Sequence, residues 1–257
     1  MEPVLDIYLL LVLCSVGFIA GFIDAIVGGG GMLTIPTLLT SGLPPHIALG
    51  TNKLAASFGS CTASLTFYKK KLFDPYFWRY SLISTAVGAI IGTLIVNYLS
   101  TDFLEKALPI IIVLTAIYTL FGKSVNIAHN KLPPENNGLY AKQISQGLVL
   151  GAYDGVAGPG TGAFWMTSSS ALYKINILLS CGIARSGNFV SNFCSLLTFI
   201  YLGYVNVILG ISMGIFIMLG AWVGAHSAIR YGNKFIRPVF ILVVICMSIH
   251  LAYNAWQ

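Results

Sequence analysis

GFIAGFIDAIVGGGG, residues Gly17 to Gly31, carries the reading of this chain because it returns as GLVLGAYDGVAGPGT, Gly147 to Thr161. At an offset of 130 residues Gly17 matches Gly147, Gly21 matches Gly151 and Asp24 matches Asp154, while Gly28 and Gly30 match Gly158 and Gly160. Each copy places one acid just before a glycine-rich break, inside strongly apolar surroundings. The correspondence continues downstream at an offset of 132: Lys53 aligns with Arg185, Leu65-Thr66-Phe67 with Leu197-Thr198-Phe199, Asp74 with Asn206, and the Gly88–Gly92 segment with Gly220–Gly224. A two-residue insertion in or after the second glycine-following segment accounts for the change of offset. The chain therefore reads as a duplication, with one repeat over 1–122, a linker over 123–138 and a second repeat over 139–257.

Of the 257 residues, 56% are hydrophobic and only 9% are charged. A soluble domain carries about 25% charged residues, so this chain could not cover its own surface with polar groups. An all-α polytopic membrane protein follows. The net charge of +6 forms no basic patch and does not point to nucleic acid; the basic residues lie between apolar runs, where they set orientation. The N-terminal MEPVLD has no basic flank for a cleavable signal, so the first apolar run is expected to remain as a span. Five scattered cysteines (Cys14, Cys61, Cys181, Cys194 and Cys246), all within apolar runs, read as buried thiols, and neither they nor the four histidines have metal-ligand spacing. No metal or cofactor is expected.

A crossing takes roughly 20 apolar residues. Long spans are expected over 5–27, 46–68, 77–98, 103–121, 140–157, 175–202, 205–228 and 236–256. Directly after each glycine break comes a shorter apolar piece, Met32–Ser41 and Ala163–Tyr173, too short for an ordinary crossing. If each short piece completes a crossing, every repeat has four long helices plus one short or broken one, the N-terminus is periplasmic, and 11 of the 14 basic residues fall on the cytoplasmic side. If the pieces are re-entrant, Lys69–Lys71 move outside and the positive-inside rule fails. The ten-crossing arrangement is favoured, and five crossings per half make the repeats inverted, as in many secondary transporters.

Four ionisable residues fall within spans: Asp24, Lys53, Asp154 and Arg185, an acid and a base in each repeat. Each costs about 2.5–3.5 kcal/mol at the bilayer centre on insertion scales, so they must face the protein interior, a partner or water. Two structural salt bridges are one account of them. The other is an anion site in which Lys53 and Arg185 supply charge, while Asp24 and Asp154 hold the cations or take up protons. The breaks favour the second account: Gly28, Gly30, Gly158 and Gly160 can unwind a helix and present the backbone N–H groups of the next one to an anion. The other glycines, at Gly17, Gly21, Gly147, Gly151, Gly88, Gly92, Gly220 and Gly224, have the four-residue spacing of close helix packing. Asn52 and Asn188, with Ser57, Ser60, Ser191 and Asn192, either complete a polar cavity or join helices. Intramembrane aspartyl proteolysis is disfavoured, since Asp24 follows Gly21-Phe22-Ile23 and no Pro-Ala-Leu motif occurs.

With these residues in hand, the chain resembles the sulfite exporter TauE/SafE family, also called the toluene sulfonate uptake permease (TSUP) family. The resemblance is carried by GFIDAIVGGGGMLTIPTLL (Gly21–Leu39), ALGTNKLAASFGS (Ala48–Ser60), the two GAxxG segments and GAYDGVAGPGTG (Gly151–Gly162), and covers essentially the whole chain. The second repeat has no equivalent of Pro36. The resemblance implies a bacterial inner-membrane transporter for small organic or sulfur-containing anions, such as sulfite or sulfonates, working as an importer or exporter. It brings no catalytic residue; the site residues named above come from charge and repeat alone. The expected partners are the lipid bilayer and a small anionic substrate, with room for proton coupling and a homo-oligomer. An anion channel and a non-transporting receptor or structural protein are the competing readings.

Overall fold

The computed structural model describes residues 7–121 and 132–232. Among the described residues there are nine helices and no strand: α1 (Ile7–Ile26), α2 (Gly30–Thr40), α3 (Pro45–Lys69), α4 (Arg79–Tyr98), α5 (Thr101–Phe121), α6 (Asn137–Val156), α7 (Thr161–Tyr173), α8 (Ile177–Tyr201) and α9 (Val207–Tyr231). Seven of the eight long spans expected from the apolar runs are helices, and both short pieces form helices of their own. The eighth long span, 236–256, and most of the linker lie outside the described residues. The linker ends earlier than its composition suggests. Asn136 accepts a hydrogen bond from the Leu139 backbone N–H at 2.8 Å, so the helix starts at Asn137 rather than after Gly138.

The aligned residues Asp74 and Asn206 both accept backbone N–H groups ahead of a helix, but only Asn206 is the N-cap; Asp74 holds the turn before α4. The Asp74 carboxylate accepts from the Tyr76 N–H at 2.9 Å ahead of α4, and the Asn206 side chain accepts from the Leu209 N–H at 3.1 Å at the start of α9. The breaks are equally local in origin. Two residues past α1 and α6 come Gly28 with φ +87° and Gly158 with φ +91°, left-handed values that favour glycine.

The distribution of polarity is inverted relative to a water-soluble protein. Ile83, Val87, Ile90, Ile91, Leu94 and Ile95 of α4 are exposed, as are Ile208, Ile211, Ile215, Phe216, Leu219 and Trp222 of α9. The buried positions of α3 and α8 include Thr51, Asn52, Lys53, Ser60, Arg185, Asn188, Ser191 and Asn192. An apolar outside around a polar inside is what hydrocarbon solvent selects. α4 and α9 are long and apolar enough to span a bilayer by composition, with mean hydropathies of 1.6 and 2.2. α3 and α8 match them or exceed them in length, at 25 residues each, but are more polar because they form the centre. α2 and α7, of 11 and 13 residues, reach only about half the thickness of a hydrocarbon core.

The two halves interlock rather than sit side by side. α1 packs chiefly on α9 and its counterpart α6 on α4, while α3 lies against both α9 and α8. The four-residue glycine spacings make the first two contacts. A Cβ on Gly21 would lie 2.1 Å from the Ile217 carbonyl oxygen, and one on Gly151 would lie 2.3 Å from that of Thr85. In return, a Cβ on Gly220 would meet the Phe18 carbonyl at 2.0 Å, and one on Gly88 that of Leu148 at 2.3 Å. Each contact maps onto another when the halves are exchanged, and each requires backbone against backbone.

Candidate functional site

The two glycine breaks meet at the centre. The Ala163 N–H donates to the Gly28 carbonyl at 3.3 Å, and a Cβ on Gly28 would overlap the Gly162 backbone at 2.3 Å. Around this contact lies a small cavity whose walls include Asp24, Gly28, Gly30, Asn52, Asp154, Gly158, Gly160 and Asn188. These are eight of the ten residues singled out from sequence. Its space for water centres is about 30 Å³, enough for one or two waters. The N-terminal ends of α2 and α7 border it, so two positive dipole ends point at the same space.

Lys53 and Arg185 are brought there too, but one layer back, behind the acids. Both are almost wholly buried, with side chains 1% and 0% exposed. Their pairing crosses the repeats: Lys53 Nζ lies 3.0 Å from Asp154 Oδ1, and Arg185 Nη1 lies 3.6 Å from Asp24 Oδ2. Each half thus supplies the acid for the other half's base. With two acids and two cations the group is formally neutral.

Asp154 is thoroughly held. Besides Lys53, it accepts from Thr161 Oγ1 at 2.9 Å and from Ser191 Oγ, and its backbone carbonyl accepts from Lys53 Nζ. The ammonium therefore caps the C-terminal end of α6, where a cation is favoured. Asp24 is held more loosely. Its Oδ1 accepts from the Gly30 N–H at 3.1 Å, and its Oδ2 has, besides the Arg185 pair, only a long contact of 3.4 Å with Asn188 Nδ2. The Asp24 side chain is 19% exposed, against 2% for Asp154. Arg185 Nε, Nη1 and Nη2 are buried and have no hydrogen-bond partner among the described residues.

Three participants were not singled out from sequence. Thr34 donates to Asn52 Oδ1, and its only signal is its place one turn after Gly30. Thr161 stands at the first position of α7, and Gly162 presents a bare Cα where Arg185 packs: a Cβ there would lie 2.7 Å from Nη2. The thiols are less buried than their apolar settings suggest. Cys181 is buried, but Cys14, Cys61 and Cys194 are partly exposed on helices with lipid-facing sides, and Cys246 lies outside the described residues. Among the described residues no three His, Cys, Asp or Glu side chains gather to hold a metal.

An inside-out helical bundle with paired half-length helices, three buried charges and a partly exposed fourth at its centre has the construction of a membrane transporter. The comparisons agree: the family model described as "Sulfite exporter TauE/SafE" matches residues 13–251, and the chain belongs to that family. It is 36% identical over 251 residues to the "Probable membrane transporter protein ORF9" of a Sinorhizobium species, covering 96% of this chain and 94% of that one. It is 35% identical over 254 residues to a "Probable membrane transporter protein" of Haemophilus influenzae, covering 97% of each. It is also 36% identical over 247 residues to YfcA of Escherichia coli K12, of the same description, covering 96% and 91%. No solved structure matches the chain.

Proposed function

We propose that the protein is a secondary transporter that moves a small organic or sulfur-containing anion, of the sulfite or sulfonate type, across the bacterial inner membrane by alternating access. The observation that carries this is the central cavity: both glycine breaks, both short-helix N-termini and both acid-base pairs converge there, half from each repeat. The two halves are taken as inverted repeats with the N-terminus periplasmic, a relation supported by contacts that exchange between halves and by the side on which the basic residues fall. In that arrangement one repeat rocks against the other around the cavity.

The cavity's small volume favours a carrier over a standing channel. About 30 Å³ does not make a continuous pore, so the anion must be admitted by movement of the walls. The test is uptake of radiolabelled sulfite and of methanesulfonate into proteoliposomes of the purified chain, with and without an imposed pH gradient. Saturable flux with counterflow is the expected result. Flux that never saturates would convert the reading to a channel, and no flux of either anion through folded protein would remove the sulfur-anion assignment.

A further inference from the structure

The two charge pairs are equivalent by position in the repeat and unequal in how they are satisfied. Lys53 has a carboxylate and a carbonyl within hydrogen-bond reach. Arg185 is fully buried, has no hydrogen-bond partner on any guanidinium nitrogen among the described residues, and stands 3.6 Å from its carboxylate. Buried donors left unpaired in this way are costly, and a guanidinium presents five N–H groups in a fixed fork suited to an oxyanion. The guanidinium lies against Gly162, and Gly162 and Asp24 both form cavity wall. An anion that displaced the Asp24 carboxylate would reach the unsatisfied donors of Arg185, with the N-terminal end of α7 alongside.

We infer that Arg185–Asp24 is the exchangeable pair: a small sulfonate-type anion takes the place of the Asp24 carboxylate opposite Arg185, and Asp24 withdraws as the neutral acid, while Lys53–Asp154 stays closed. This rests on the anion-transport reading above. The charges balance. Two acids and two cations sum to zero, one bound monoanion would leave −1, and one proton on Asp24 restores zero. The proton is delivered from bulk solvent as hydronium, whose O–H bond breaks to leave water as the O–H bond of the Asp24 carboxyl forms.

Asp24 is the acid placed for this. It is the more exposed of the two, and its Oδ2 has only the long Asn188 contact and the 3.6 Å pair with Arg185. The ionisable groups around it are few. α8 contributes Arg185, and its Cys181 thiol is turned to the Ile26 carbonyl and Met166 Sδ. α3 contributes Lys53 and α6 contributes Asp154, which are bound to each other. α2 has no ionisable residue, and His226 of α9 is exposed, with its ring against Trp222. Among the described residues, protonation of Asp24 therefore answers to Arg185, to Asp154 and to whatever anion lies beside it.

Methanesulfonate, the anion of a strong acid, keeps its charge between about pH 5 and 8, so a change of affinity over that range comes from groups on the protein. The test measures its binding to the detergent-purified full chain over that range. Wild-type affinity is expected to fall about tenfold per pH unit on the alkaline limb, the slope for one coupled proton. Binding should draw about one proton per anion from weakly buffered solution, a measurement that needs no substitution. Asp24→Asn should bind at the acid-limit affinity with no slope and no proton uptake, Asp154→Asn should keep the slope, and Arg185→Gln should lose about a hundredfold or more. Binding by wild type without proton uptake, or a slope that survives in Asp24→Asn or vanishes only in Asp154→Asn, overturns the exchange while leaving an anion transporter. No saturable binding by folded wild type removes the sulfonate reading and the exchange together.

Discussion

Lys53 and Arg185 occupy the same position in two copies of one repeat, and each faces the acid of the other copy. Lys53 is locked to Asp154 by a 3.0 Å ion pair, with Thr161 and Ser191 holding the same carboxylate. Arg185 faces Asp24 across 3.6 Å with its nitrogens lacking a hydrogen-bond partner among the described residues. If the halves arose by duplication, it would supply two equivalent charge pairs at a shared interface, of which the proposed anion needs only one. The other is then free to become a joint that keeps the halves in register. On this comparison the second half's acid has become structural and the first half's acid has stayed mobile, although each pair draws one member from either half.

The comparison breaks most readily on stability. Lys53→Met leaves Asp154 charged, buried and short of its main partner, and should cost about 3–5 kcal/mol, seen as a large fall in the yield of monodisperse protein and in its unfolding temperature in detergent. Arg185→Met should cost less, about 1–3 kcal/mol, since Asp24 keeps the Gly30 N–H and its exposure to the cavity. Equal losses would make Arg185 as structural as Lys53 and deprive the proposed anion of its partner.

The glycine contacts sharpen the comparison from the other direction, because there the halves should behave alike. Gly21→Ala would force a methyl to 2.1 Å from the Ile217 carbonyl, and Gly151→Ala to 2.3 Å from that of Thr85. Both carbonyls belong to helix backbone, so neither substitution is relieved by a rotamer, and each should destabilise by about 1–3 kcal/mol in thermal unfolding. Losses that differ widely would show that the interlock carries different loads on its two sides.

Much of this was legible in the chain. The apolar runs located seven helices, and the matched positions identified the acids, the bases and both breaks. The crossing of the pairs was not legible: repeat register shows which residues are equivalent, whereas neighbours are set by how the copies dock. The Gly17–Gly21 and Gly147–Gly151 spacings announced close packing without naming a partner. The cavity wall was misplaced by one layer for a related reason. Periodicity puts Lys53 on a polar face of α3, but long side chains reach past that face, and Nζ finishes at the end of α6. Asn136 shows the smaller limit, where a single cap moved a helix start that composition had placed two residues later.

The inequality of the pairs was in the chain once geometry showed where to look. The two hydroxyls that hold Asp154 have glycines at the corresponding first-half positions: Gly31 stands where the second half has Thr161, and Gly59 where it has Ser191. Asp24 therefore cannot be held as Asp154 is. Thr161→Val and Ser191→Ala each remove one hydrogen bond to Asp154 and should cost about 1 kcal/mol, a modest fall in unfolding temperature. They should leave the pH slope of methanesulfonate binding unchanged, because the loosened carboxylate still has Lys53. The double variant is the sharper case. With both hydroxyls gone, Asp154 resembles Asp24 in its side-chain support, and the remaining difference is the lysine at 3.0 Å against the arginine at 3.6 Å. If the double variant keeps a one-proton slope, the lysine alone holds that side shut. If a second proton is taken up per anion, the hydroxyls keep the second pair from exchanging, and the duplicated site has two exchangeable halves held unequal by Thr161 and Ser191.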